Sequence, residues 1–236
     1  MASSSRPKAR LRASRLGASI GLLRDFYGPI SSPAPKDPFE LLMWEYVAYL
    51  TDDADRAAAF ERLRTRVGLT PAAIAQASLP VLRTVCRAGG SIAFEARALR
   101  MHEVAVRVLE RFDGTLAPLL KRPYLEAQKA LKTFPSVGPP GADKIVLLTG
   151  AHAVLALDSN ALRVLLRLGY GFEHKSYSAA YASAQKAAMA ELPSLVGPLR
   201  EASLLLRHHG RQQCGRTRPR CAICPLRARC AFAKVK

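Results

Sequence analysis

Four cysteines near the end of the sequence stand as Cys214-x6-Cys221-x2-Cys224-x5-Cys230, within CGRTRPRCAICPLRARC. Thiolates bind soft metals, and four on one short segment can enclose a [4Fe–4S] cluster. Structural zinc is the alternative, because a Cys-x2-Cys pair is its commonest half-site. Zinc sites usually join two such pairs, whereas here the outer cysteines lie six and five residues from the central pair. That spacing favours the iron–sulfur cofactor. A disulfide framework is not expected, since 236 residues with 49% hydrophobic content can bury a core without staples. Cys86, alone in LPVLRTVC, reads as an inert core residue.

The cysteines are interleaved with Arg216, Arg218, Arg220, Arg227 and Arg229 and with no acid. A metal clip with so positive a skin suits a phosphate backbone. The whole chain agrees: 36 Lys+Arg against 18 Asp+Glu give a net charge of +18, which points to nucleic acid. The excess gathers at the ends, with six basic residues and no acid in the first 24 positions and nine and none from Arg207 to Lys236. Residues 1–17 read as a basic, disordered arm. Its Ser/Ala/Arg composition also fits an organellar targeting segment; otherwise a cytoplasmic or nucleoid location is expected. No apolar run reaches the length of a membrane span, so no membrane partner is expected, and the protein reads as a monomer.

The elements that must carry these groups are helical throughout. A helix over Phe39–Leu50 starts from Asp37-Pro38, an N-cap followed by proline at the first position. Amphipathic segments follow at about 53–66, 71–77, 79–87, 93–112, 122–133, 141–149, 159–168, 178–190 and 196–208. Strand signals are nearly absent, so the fold class is all-α. The turn Pro135-Ser136-Val137-Gly138-Pro139 reads as a helix–hairpin–helix element. Amides at Val137, Gly138 and Gly141, with the positive end of the second helix, can bind a phosphate without regard to base sequence.

With PFELLMWE (38–45), FPSVGPPGADKIVL (134–147), ALDSNALRVLLRLG (156–169) and HHGRQQC (208–214) in this order, the chain from about Leu22 to Phe232 resembles the helix–hairpin–helix DNA glycosylases with an iron–sulfur domain, the endonuclease III superfamily. The resemblance implies two helical lobes: 38–156 with the hairpin, and 18–37 plus 157–236 with the cluster loop 214–230. It implies a [4Fe–4S] cofactor on Cys214, Cys221, Cys224 and Cys230, and double-stranded DNA with a damaged or mismatched base as partner. Arg211, Arg216, Arg218 and Arg220 join the hairpin amides as DNA-binding residues. The flipped nucleotide is expected between the lobes.

Asp158 falls on the family's catalytic aspartate. It stands directly before a helix, where the N-terminal dipole keeps a carboxylate ionised and able to stabilise an oxocarbenium-like sugar. The plain alternative is an N-cap, and the two roles are compatible. The position of the lysine that makes bifunctional members lyases is Pro140, and Lys144 is one helical turn further on. Efficient strand cleavage is therefore not expected. Glu45 lands where the monofunctional adenine and thymine mismatch glycosylases carry a glutamate. A carboxyl within the apolar LLMWEYVAYL holds its proton tightly and can donate it to a leaving base. Where endonuclease III fills the gap left by the flipped base with glutamine, this chain has Tyr49-Leu50-Thr51, making Tyr49 and Leu50 candidate wedges. The expectation is a monofunctional base-excision glycosylase. The alternatives are an endonuclease III-like glycosylase with lyase activity and a non-catalytic DNA-binding protein on the same scaffold.

Overall fold

The structure, a computed structural model, describes residues 14–234. Every regular element among them is helical: α1 (Arg15–Tyr27), α2 (Pro38–Val47), α3 (Asp53–Arg66), α4 (Pro71–Gln76), α5 (Leu79–Ala88), α6 (Phe94–Phe112), α7 (Ala117–Leu120), α8 (Tyr124–Leu131), α9 (Pro139–Leu148), α10 (Ser159–Arg167), α11 (Tyr177–Met189), α12 (Val196–Gln212) and α13 (Ala231–Lys234), with 3-10 turns at Cys221–Ile223 and Arg227–Arg229. The expected all-α class is borne out. No helix among the described residues is long and apolar enough to cross a membrane.

The chain divides into two compact units. One is Pro33–Gly138, holding α2–α8; the other joins the segment ending at Ser32 to the chain from Pro139 onward, holding α1 and α9–α13. The sequence suggests a boundary at 156/157, but the division falls inside the hairpin turn, at Gly138/Pro139. The reason is that α9 packs on α12, and Arg200 Nη2 of α12 donates to Leu147 O and Leu148 O at 3.2 and 3.1 Å.

The expected arm over 1–17 needs a second correction. Residues 1–13 lie outside the described part, but α1 begins at Arg15, and Ser14 caps it by accepting from Gly17 N at 2.9 Å. Leu16, Ile20 and Leu23, one turn apart, are fully buried. Interleaved serine and arginine hide that stripe from a reading by composition.

In the first unit α2 is fixed at both ends. Asp37 Oδ1 accepts from Phe39 N and Glu40 N at 2.9 and 3.0 Å, satisfying two orphan amides. The helix stops at Val47 rather than at Leu50. Its last carbonyls are taken instead by a side chain of α6, which packs beside it with α4 and α5.

In the second unit α10 and α12 form the tightest pair. A Cβ on Gly210 would come within 2.6 Å of Asn160 O, so glycine lets the end of α12 lie against the first turn of α10. Gly210→Ala should lower stability by about 1–3 kcal/mol through overpacking, read as an earlier urea midpoint.

Candidate active site and cysteine loop

Asp158 caps α10 from extended backbone. Its Oδ1 accepts from Asn160 N at 3.0 Å and Ala161 N at 2.8 Å, and Oδ2 from Asn160 Nδ2 at 3.2 Å. The three donors and the helix start together orient the carboxylate. The side chain remains 35% exposed, and Arg207 Nε of α12 lies 3.3 Å from Oδ2. Tyr177 is close enough that the charge on Asp158 adds to burial in pushing the phenol pKa up.

The next residues connect this carboxylate to the cysteines. Asn160 Oδ1 accepts from Arg163 Nη2 at 2.8 Å, and the same guanidinium donates to Gly210 O and, through Nε, to Cys214 O, both at 2.8 Å. One turn on, Arg167 donates to Gly215 O at 2.8 Å, Arg216 O at 2.9 Å and Cys214 Sγ at 3.1 Å, and its guanidinium stacks 4.2 Å from the Phe232 ring centre.

Cys214, Cys221, Cys224 and Cys230 all line one cavity, walled by Val164, Leu168, Leu226 and Phe232. Burial, and beyond it the other three cysteines, raises the Cys224 thiol pKa. His209 Nε2 is 3.5 Å from Cys224 Sγ, and its Nδ1 is 2.9 Å from Tyr27 Oη. Burial pulls His209 down to about 4, so it is neutral at pH 7. If Tyr27 donates to Nδ1, the remaining N–H points at the sulfur. Among the described residues no three or more His, Cys, Asp or Glu side chains are grouped to hold a single metal ion. Four thiols lining one cavity are a donor set that fits an iron–sulfur cluster, where each sulfur binds its own iron. Arg211, Arg216, Arg218 and Arg220 are all exposed.

In the other unit Glu45 is half-buried in α2. Tyr49 and Leu50 lie beyond the helix end, 52% and 75% exposed, and Leu50 has a left-handed φ of 51°. The buried guanidinium of Arg97, 4% exposed, anchors this loop. It donates to Val47 O at 2.6 Å, Tyr46 O at 3.3 Å, Cys86 O at 2.8 Å, Ile92 O at 3.1 Å and Gly90 O. A Cβ on Gly89 would lie 2.1 Å from Val47 O, so glycine permits the approach that Tyr49 N completes by donating to Gly89 O at 3.2 Å. Ile92, 51% exposed, thereby shares its anchor with Leu50.

At the hairpin, Tyr46 Oη donates to Pro135 O at 2.6 Å, and Ser136 adopts a φ of 59°. Pro139 and Pro140 supply no amide to the start of α9, so Gly141 N and Ala142 N are its first donors. Lys144 is half-buried in α9. Cys86 is buried and its thiol is pushed up to about 11, as befits an unreactive core group.

Sequence reasoning singled out the cysteines, Asp158 and Glu45 but not Arg97, Arg163, Arg167 or Arg207. The only signal for them is arginine inside or beside apolar helix faces, as in ALRVLLRLG.

No protein-family model matches the chain. A trapped endonuclease III–DNA covalent intermediate matches 100% of this chain and 99% of its own at 20% identity, with a TM-score of 0.74. A thermostable thymine-DNA glycosylase matches 99% of this chain and 100% of its own at 18% identity, with a TM-score of 0.75. The fold is that of the helix–hairpin–helix DNA glycosylases of the endonuclease III type. In sequence, the adenine DNA glycosylase of Mycobacterium tuberculosis is 30% identical over 193 residues, 80% of this chain and 58% of the relative. The chain spans about half the length of the curated relatives it matches, 44% of one and 58% of another.

Arg97→Met should cost about 3 kcal/mol in chemical unfolding, because it leaves several buried carbonyls without a donor, and Arg97→Lys should recover little of the loss.

Proposed function

We propose that this chain is a DNA glycosylase that hydrolyses the N-glycosidic bond of a flipped damaged or mismatched base in duplex DNA. The observation that carries the reading is Asp158: a partly exposed carboxylate oriented by main-chain amides at the start of α10, in a chain with the glycosylase fold. As the bond to the base lengthens, positive charge grows at C1′ and the ring oxygen. The Asp158 carboxylate stabilises that charge. Glu45 donates a proton to the departing base, and the resulting carboxylate takes a proton from the water that adds to C1′, restoring the acid. Water is the nucleophile because Pro140 stands at the lysine position of the bifunctional enzymes.

The relatives similar in sequence bear the name adenine DNA glycosylase, which supports the excision of a base. The exposed arginines of the cysteine loop and the amides of Val137, Gly138 and Gly141 are assigned to backbone phosphates. Leu50, with its neighbour Tyr49, is assigned to the stack left by the flipped base. The four cysteines would hold a [4Fe–4S] cluster, which would supply structure there by tying the loop together. Cys221→Ser should lower iron per chain, thermal midpoint and DNA affinity together.

A single-turnover panel tests the activity, using 5′-labelled duplexes with uracil or thymine opposite guanine, adenine opposite 8-oxoguanine, or thymine glycol. Product revealed only by alkali is the expected result and names the base. Cleavage without alkali, with borohydride trapping, would move the reading to a lyase using Lys144; a blank panel from iron-loaded protein would leave DNA binding alone. On the substrate found, Asp158→Asn should lower excision by about 10²–10³ or more without loss of DNA affinity, and Glu45→Gln by about 10²–10⁴.

A further inference from the structure

The Asp158 carboxylate has more partners than a catalytic anion can keep. Three donors, the two amides and the Asn160 side chain, belong to the same helical turn and move with it. The fourth contact is different in kind. Arg207 comes from α12, its Nε lies 3.3 Å from Oδ2, and both side chains stay partly open to solvent, at 29% and 35%. The amides orient the carboxylate without cancelling its charge. A full cation in contact does cancel it, so the Asp158–Arg207 pair offers little attraction to a positive sugar.

What could remove that cation is suggested by its place in the chain. Arg207 opens a run to the C-terminus with nine basic residues and no acid. Arg211, one turn further along α12, is exposed, as are Arg216, Arg218 and Arg220 beyond it. A strand tracking this surface brings phosphates towards Arg207, and guanidinium forms strong paired bonds with phosphate oxygens. Arg207 meets the carboxylate in a partly solvated setting, where such pairs are weak and exchangeable.

We propose that Arg207 is an exchangeable counter-ion, paired with Asp158 in the free protein and transferred to a backbone phosphate on DNA, which bares the carboxylate where the flipped nucleotide arrives. The proposal rests on the reading of Asp158 as the catalytic anion. It makes Arg207 a positioning residue that couples backbone engagement to exposure of the carboxylate, so that full-strength Asp158 exists only on DNA.

The test is a double-mutant cycle on binding, with iron-loaded protein and a duplex carrying a tetrahydrofuran abasic-site analogue. If Arg207 leaves Asp158 on binding, Asp158→Asn removes a competitor for the guanidinium. The affinity gained from that substitution should then be about threefold or more larger with Arg207 present than in an Arg207→Gln background. Arg207→Gln should also reduce the slope of log affinity against log salt by about one contact. Equal gains in the two backgrounds, or a larger gain without Arg207, would overturn the exchange and leave Arg207 bound to Asp158 throughout. Should Arg207→Gln fail to fold, the side-chain Nε–H resonance of Arg207 in the unmutated protein decides: it should move when the duplex is added, and an unmoved resonance overturns the proposal. The analogue has no base, so excision plays no part in the cycle. Coupling with a blank excision panel would remove the glycosylase reading and keep a DNA-driven switch; excision without coupling would remove the switch alone.

Discussion

Guanidinium groups bonded to main-chain carbonyl oxygens hold the irregular segments of both units. A loop that leaves regular structure strands its carbonyls, and burying one without a donor costs free energy comparable to a lost hydrogen bond. Arginine suits the task because one planar head carries five donors and no acceptor. Arg97 closes the end of α2, the end of α5 and the loop to α6 in this way. Arg163 and Arg167 do the same for the start of the cysteine loop, and Arg15 reaches Leu168 O at 2.6 Å and Arg229 O at 3.2 Å. From 214 to 234 only Leu226 is buried, so that segment has almost no apolar core of its own. Its shape depends on these arginines and on whatever the four thiols bind.

This double use of arginine also explains where reading the sequence stopped short. Net charge is a sum, and it does not distinguish Arg216, which faces solvent, from Arg167, spent on carbonyls within the loop. The helices were legible because apolar spacing is local, and the cysteines because ligand spacing is local. Asp158 was legible because a cap is written in two or three adjacent residues. Arg207 meeting Asp158 is a long-range contact with no local mark. The end of α2 at Val47 depends on a side chain fifty residues along the chain, and without Arg97 the run LLMWEYVAYL reads as continuous helix. The opening of α1 was hidden for the opposite reason: its buried stripe is present, but arginine and serine dominate the composition around it.

The two proposed catalytic carboxylates belong to different units, and their local settings differ as their roles require. Asp158 receives main-chain amides at a helix start. Glu45 sits half-buried in a helix whose neighbours Leu41, Leu42, Trp44 and Tyr46 are buried. The division of labour is thus a matter of backbone: a helix terminus in one unit and a helix interior in the other. Each unit secures its carboxylate by local means, Asp37 capping α2 and Gly210 admitting α12 to the first turn of α10.

Leu50 holds a left-handed backbone with three quarters of its surface in water. Glycine or asparagine would take that conformation at lower cost, since a bulky side chain there stores strain of about 1 kcal/mol or more. Burial returns nothing to offset it. A chain shaped by stability alone would therefore drift away from leucine at this position, towards a variant that melts later. Folding does not account for leucine here, and the loop held by Arg97 is where stability and performance pull in opposite directions.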